Sequence, residues 1–316
     1  MPLPSENPHA DGRPRTETEP IAADSYRVKP ARTSQGASTV TDLRRLRAAG
    51  QLIGDDSSEV RSALAREFRQ AGKLGRPILK RAAKSSDAHR RSHARSLLEM
   101  LRRQAVVRRL LRLCTRDHFD LESAFYLLAS FGFADFDSRP YRKALDAMGR
   151  EVENRTSHLK DDLQRCQVLV HYLGTELKFR GDMDNYTHPD NIYFHRVIER
   201  NQGLPLSLCA LYSFVARRAG LQTGVIPLPG HVMLRLYGRH QNLIVDPFHG
   251  GDARSQDDLV KYLLDHGLRF NPVWMHDASP KLLFARQVAN LHNSLRSLGL
   301  IKLSRELKPL LKLLGH

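Results

Sequence analysis

The chain has 316 residues, 41% of them hydrophobic, and its 50 Lys and Arg against 34 Asp and Glu leave a formal net charge of +16. That length can bury a substantial core and suits two structural units. No apolar run approaches the roughly 20 residues that span a bilayer, and Met1-Pro2-Leu3-Pro4-Ser5-Glu6 lacks the basic and apolar blocks of a signal peptide.

Three cysteines, Cys114, Cys166 and Cys209, are spaced for neither a metal site nor a disulfide framework, so reduced thiols and a cytoplasmic setting are expected. The positive charge is uneven. Residues 51–115 hold 16 Lys and Arg against 6 Asp and Glu, a net of +10, whereas residues 116–250 balance at 16 against 16. A neutral central region argues against a site built for a polyanionic substrate.

In chain order, residues 1 to about 40 are rich in Pro, Ser, Thr and charge without periodicity, which reads as a disordered tail. Asp56-Ser57-Ser58-Glu59 supplies a helix start with an acidic first turn. Apolar positions at Val60, Leu64 and Phe68, then Ile78, Leu79 and Ala82, then Ala94, Leu97 and Leu101 suggest paired short helices of HEAT-like type over 41–115. Arg102 to Leu113 forms an amphipathic basic helix. It is either a solvated face, a dock for an acidic protein surface, or an adaptor contact to nucleic acid or ribonucleoprotein through 61–112. With no aromatic residue among the basic ones, base stacking has nothing to work with, and no specific nucleic-acid complex is expected.

Three more helices follow: one opened by Phe119-Asp120-Leu121-Glu122 and continuing through Phe131, one holding Tyr141, Leu145, Met148 and Val152, and one from Leu159 to about Leu177. Cys114 and Cys166 lie on apolar faces as small hydrophobes. Phe179 to Asn191 is a structured loop whose acids do not fit an EF-hand, so no metal and no cofactor is assigned. Gly203-Leu204-Pro205 then opens a helix with Pro205 at its first position, and Gly220 ends it. Pro229-Gly230-His231 leads into a strand through Tyr237, and 238–242 close a hairpin onto Leu243-Ile244-Val245-Asp246. This places His231 roughly opposite Asp246, where a carboxylate can hold an imidazole in one tautomer.

These pieces carry a resemblance. Asn191-Ile192-Tyr193, Gly203-Leu204-Pro205-Leu206-Ser207-Leu208, Pro229-Gly230-His231 and Asp246-Pro247-Phe248-His249-Gly250-Gly251 resemble the SirB-type transglutaminase-like family, in that order, over roughly Phe119 to Leu264. The resemblance implies a Cys-His-Asp core of the transglutaminase and papain-like kind. It also implies tetratricopeptide-like helices after it, of which Lys281 to Leu314 offers about one hairpin. The nucleophile of that core belongs at or near position 205, which here is Pro205.

An activated thiol needs a helix N-terminus and a neighbouring imidazole. Cys209 stands one turn further along, roughly 6 Å into the helix, where burial raises a thiol pKa. Ser207 is a weaker alternative, placed near the turn. The expected architecture is α+β and mostly helical: a basic segment over 41–115, a transglutaminase/papain-like core with a small antiparallel sheet over 116–264, and a helical tail over 265–316.

The expected function is a non-catalytic binding or regulatory protein, with Asn191, Tyr193, Gly203, Pro205, His231 and Asp246 around a ligand cleft and a protein or peptide as partner. The alternative is a cysteine hydrolase or acyltransferase using Cys209, His231 and Asp246.

Overall fold

The computed structural model describes residues 35–315, so most of the expected tail lies outside the described residues. The first element, α1 (Gln35–Gln51), begins a few residues before that tail was expected to end. By its contacts the chain divides into residues 1–45, described only as the opening of α1, and residues 46–316.

Within 46–316, α2 (Ser58–Ala71) starts where Ser57 accepts a hydrogen bond from the Val60 N–H at 3.4 Å. The helix α3 (Arg76–Ala82) carries a proline in its first turn. Next comes α4 (Ala88–Cys114), capped by Asp87, which accepts from the His89 and Arg90 N–H groups. The apolar stripe through Leu101 and the basic stretch from Arg102 thus belong to one helix of 27 residues, because no Gly or Pro interrupts 88–114. Its first half closes a small core with Leu46, Ile53, Phe68 and Leu79. Its second half sends Val106, Val107, Leu110 and Cys114 into the main core, so the basic segment packs on the centre of the molecule.

The main core is built from α5 (Leu121–Gly132), α6 (Arg139–Thr156), α7 (Asp162–Val170), α8 (Phe194–Arg200) and α9 (Pro205–Arg218). The helix α7 runs on as a π-helical turn, His171–Glu176, in which the Leu177 N–H donates to the Tyr172 carbonyl five residues back. Nearly every side of α9 is covered: all its residues but Ser213, Arg217 and Arg218 are buried. It ends as expected at Gly220, which adopts φ +70°.

A two-residue parallel pair joins β1 (Arg180–Gly181) to β2 (Gln202–Gly203). The principal sheet has four antiparallel strands in sequence order, β3 (Thr223–Ile226), β4 (Met233–Leu236), β5 (Leu243–Asp246) and β6 (Asp252–Arg254). The pleat sorts its faces. Val225, Leu234 and Val245 stand in register and join the main core with α9. Ile226 and Met233 point the other way, onto Leu259 and Leu263 of α10 (Gln256–Asp265). The chain closes with α11 (Pro280–Ser297), α12 (Ile301–Arg305) and α13 (Lys308–Leu313). Leu283, Phe284, Val288, Leu291 and Leu310 from these helices enter the same main core. The result is the expected mostly helical α+β fold with a small antiparallel sheet. No described helix is long and apolar enough to cross a membrane.

Candidate functional site

Leu204 is extended and Pro205 takes the first position of α9, so this helix N-terminus carries no side-chain cap and no thiol. Cys209 follows one turn on and is wholly buried. Its sulfur lies 3.8 Å from the Val232 carbonyl oxygen and donates there, while no hydrogen bond ties it to the His231 ring. Burial, reinforced by the Asp246 carboxylate and only partly countered by Arg286, holds its pKa well above the ordinary thiol value. Ser207 is not exposed near the turn. It is fully buried and accepts a hydrogen bond from Gln287 Nε2 at 3.0 Å, because α11 covers this face of α9.

Asn191, Tyr193, Gly203 and Pro205 belong to the frame around the site. Asn191 is completely buried; its amide donates to the Asn185 carbonyl at 2.7 Å and its side-chain oxygen accepts from Arg200 at 2.8 Å. Arg200 also reaches Asp182 at 2.8 Å, which pins the loop read from sequence as structured. Tyr193 is buried edge-on against Phe133. Gly203 lies against Val197, whose side chain a Cβ there would meet at 2.9 Å. Both polar side-chain atoms of Asn191 are thus engaged within the protein, and Gly203 and Pro205 bring none.

His231 and Asp246 do meet. The hairpin register sets Leu234 against Val245, which places Met233 opposite Asp246 and His231 two residues beyond it. From there His231 Nε2 comes within 3.0 Å of Asp246 Oδ2. The ring is fixed between Phe248, edge-on at 6.0 Å between centroids, and Tyr262 at 5.8 Å. Tyr262 donates to the Pro229 carbonyl, and Arg286 donates to the carbonyls of Leu228 and His231, so side chains hold both ends of the turn that presents the imidazole.

Asp246 divides its two oxygens. Oδ1 accepts the Phe248 N–H at 3.0 Å and so starts the short turn Pro247–His249. That turn brings back a second imidazole, His249, whose Nδ1 lies 2.7 Å from the same Oδ2 that faces His231. Burial alone would raise the Asp246 pKa, but the hydrogen bonds and charge of His231, together with those of His249, bring it below the ordinary carboxylate value. The carboxylate is almost fully buried, His231 is slightly open, and the His249 side chain is 49% exposed. The cluster therefore opens to solvent on the His249 side.

The sequence pattern pointed to His231 and Asp246 but not to His249. The available signal was its spacing of three from Asp246, which a capping Asp turns into contact. The sequence also left the π-helical turn unread. Gly174, within that turn, touches the loop of the site, since a Cβ on it would fall 1.9 Å from the Gly250 oxygen. The loop itself needs left-handed backbone at Gly250 and Gly251, φ +72° and +91°. π-Helical turns recur at functional sites, and this one fixes the backbone behind His249.

A helix start, a His and an Asp in this chain order, on a helix packed against an antiparallel sheet, define a transglutaminase-like class of core. Residues 139–289 match the profile of the transglutaminase-like superfamily. The chain is similar to a UPF0162 protein of Xylella fastidiosa (strain 9a5c), 28% identical over 46% of this chain and 52% of that protein. It is likewise similar to a UPF0162 protein of Vibrio cholerae, 24% identical over 46% and 55%. A third relative is F-box only protein 21 of Mus musculus, 31% identical over 31% of this chain but 14% of that protein. The chain thus spans about half the length of the UPF0162 relatives it matches. No solved structure matches it.

Proposed function

We propose that this chain is a non-catalytic binding or regulatory protein, cytoplasmic, built on a degenerate transglutaminase-like core of SirB type with a HEAT-like basic segment before it. The observation that supports this reading is the state of the thiol. Cys209 is completely buried, donates to a backbone carbonyl and has a raised pKa, while the helix start carries Pro205. A nucleophilic thiol needs the opposite on each count: access, a paired imidazole and a lowered pKa. With the nucleophile gone, the His231–Asp246 pair beside the partly exposed His249 is left to hold a ligand, a protein or peptide segment. The competing reading, a cysteine hydrolase or acyltransferase using Cys209, His231 and Asp246, rests on that same pair.

Alkylation separates the two. Iodoacetamide at neutral pH, followed cysteine by cysteine through peptide mass, is expected to label Cys209 more slowly in the folded protein than after unfolding. Rapid labelling of Cys209 in the folded state, slowed by His231→Ala, would establish the hydrolase reading instead.

A further inference from the structure

We propose that His231, Asp246 and His249 form a binding site for one divalent transition-metal ion of the zinc class. One carboxylate oxygen, Asp246 Oδ2, receives two imidazole nitrogens from different elements, Nε2 of His231 at 3.0 Å and Nδ1 of His249 at 2.7 Å. A carboxylate that only orients a base needs one imidazole; here a second converges on the same point. All three candidate ligand atoms lie within 4.8 Å of one another. Zinc bonds to nitrogen and carboxylate oxygen measure about 2.0–2.2 Å, which puts adjacent ligand atoms of a tetrahedral site roughly 3.3–3.5 Å apart. Asp246 Oδ2 needs to draw back from each imidazole nitrogen by less than about 1 Å to admit an ion.

The surroundings hold these ligands in place. Asp246 Oδ1 is engaged by the Phe248 N–H, which leaves Oδ2 as a single-oxygen ligand of fixed direction. The His231 ring sits between Phe248 and Tyr262, and the His249 turn is backed by Gly174. Imidazole and carboxylate suit zinc, cobalt and nickel, whereas calcium and magnesium prefer oxygen ligands alone. Two neutral imidazoles and one carboxylate leave a bound divalent ion with a net charge of +1. Three protein ligands also leave a fourth position, on the exposed His249 side, for water or an anionic oxygen. A carboxylate-bearing ligand would complete the site. The inference goes beyond the binding role proposed above and does not depend on the state of Cys209.

The full-length protein, stripped with a chelator, would be titrated with Zn2+ alone by calorimetry and with Co2+ alone by visible absorption. One equivalent is expected to bind with a dissociation constant of about a micromolar or tighter. Binding should produce a Co2+ ligand-field band and raise the melting midpoint, as any ligand selective for the folded state does. His249→Ala should weaken binding at least about tenfold and abolish the band, whereas His240→Ala, in an exposed turn, should change neither. If His249→Ala does not fold, His249→Gln, which keeps a polar group beside Asp246, takes its place with the same expectation. Absence of saturable binding below about 100 µM, or binding and a band unchanged in the folded His249 variant, would overturn the proposal.

Discussion

His195 lies among Phe133, Phe136 and Tyr141, its ring 4.5–5.5 Å from each of theirs. Its Nδ1 is buried without a hydrogen-bond partner. Burial lowers its pKa to about 4, with Glu199 acting weakly against that shift. The unfolded chain, with an imidazole near 6.5, takes up a proton first on acidification. The neutral ring is therefore fully compatible with the fold above about pH 6.5, and stability is lost as the pH falls toward about 4. Denaturation of wild type and His195→Phe across that window is expected to show the loss in wild type and a flatter profile in the variant. Asp246 has the opposite kind of group and a similar sign: its depressed carboxyl pKa gives stability above the ordinary carboxylate value that disappears at more acidic pH. Asp246→Ala removes the acceptor of the buried Phe248 N–H and of two imidazoles. It should lower stability by about 1–3 kcal/mol, read from the denaturation midpoint; an unchanged midpoint would show that these bonds are made equally well to water.

At the scale of elements, Glu122 ties three helices together. From the first turn of α5, almost fully buried, it accepts from Arg142 of α6 at 3.2 Å and from Arg217 and Arg218 of α9 at 2.6 and 2.9 Å. Arg142 and Arg217 reach solvent and Arg218 keeps Asp146 at 2.6 Å and the Phe214 carbonyl at 3.0 Å, so losing the carboxylate removes only part of the Arg218 bonding together with the bridge between the helices. Glu122→Ala should cost about 2–3 kcal/mol and Glu122→Gln less, both measurable by chemical denaturation; equal stability of Glu122→Ala and wild type would contradict this role.

Elements with strong local signals were legible in the sequence. The helix α9 announced itself by Pro205 and Gly220, and the β4–β5 hairpin by alternation and a polar turn. The strands β3 and β6 were not read, because Thr223–Ile226 and Asp252–Arg254 have three or four residues each and become strands by pairing with β4 and β5. Cys209 was correctly read as core. Ser207 was not, since α11, which buries it, lies about 80 residues further along the chain. The second imidazole on Asp246 comes from a capped turn whose only trace in the sequence is the spacing of three between Asp246 and His249.

For the molecule as a whole, the basic excess over 51–115 raises the question of a polyanionic partner. Part of that charge is spent inside the fold: Arg102 donates to the Phe131 carbonyl at 3.0 Å, and Arg103 grips Glu306 through two hydrogen bonds of 2.9 Å. What remains lies along helices whose one Phe, Tyr or Trp residue, Phe68, is buried in the core and cannot stack on a base. Full-length protein titrated against random-sequence DNA and RNA at about 150 mM salt should bind no tighter than the usual non-specific range of about 10⁻⁴–10⁻⁶ M. A sub-micromolar constant would make nucleic acid the primary partner.

The proposed function puts Pro205 at the nucleophile position of a transglutaminase-like site. It is tested most directly by restoring the thiol. In Pro205→Cys, the new side chain stands at the N-terminus of α9, where the helix dipole favours a thiolate and, if position 205 is that of the nucleophile, the His231 imidazole does so too. Its pKa, followed by the pH dependence of alkylation with Cys209 as internal reference, is expected to fall below the ordinary value of about 8.5. It should rise again when His231→Ala is added. A pKa at or above the ordinary value, indifferent to His231, would contradict the account.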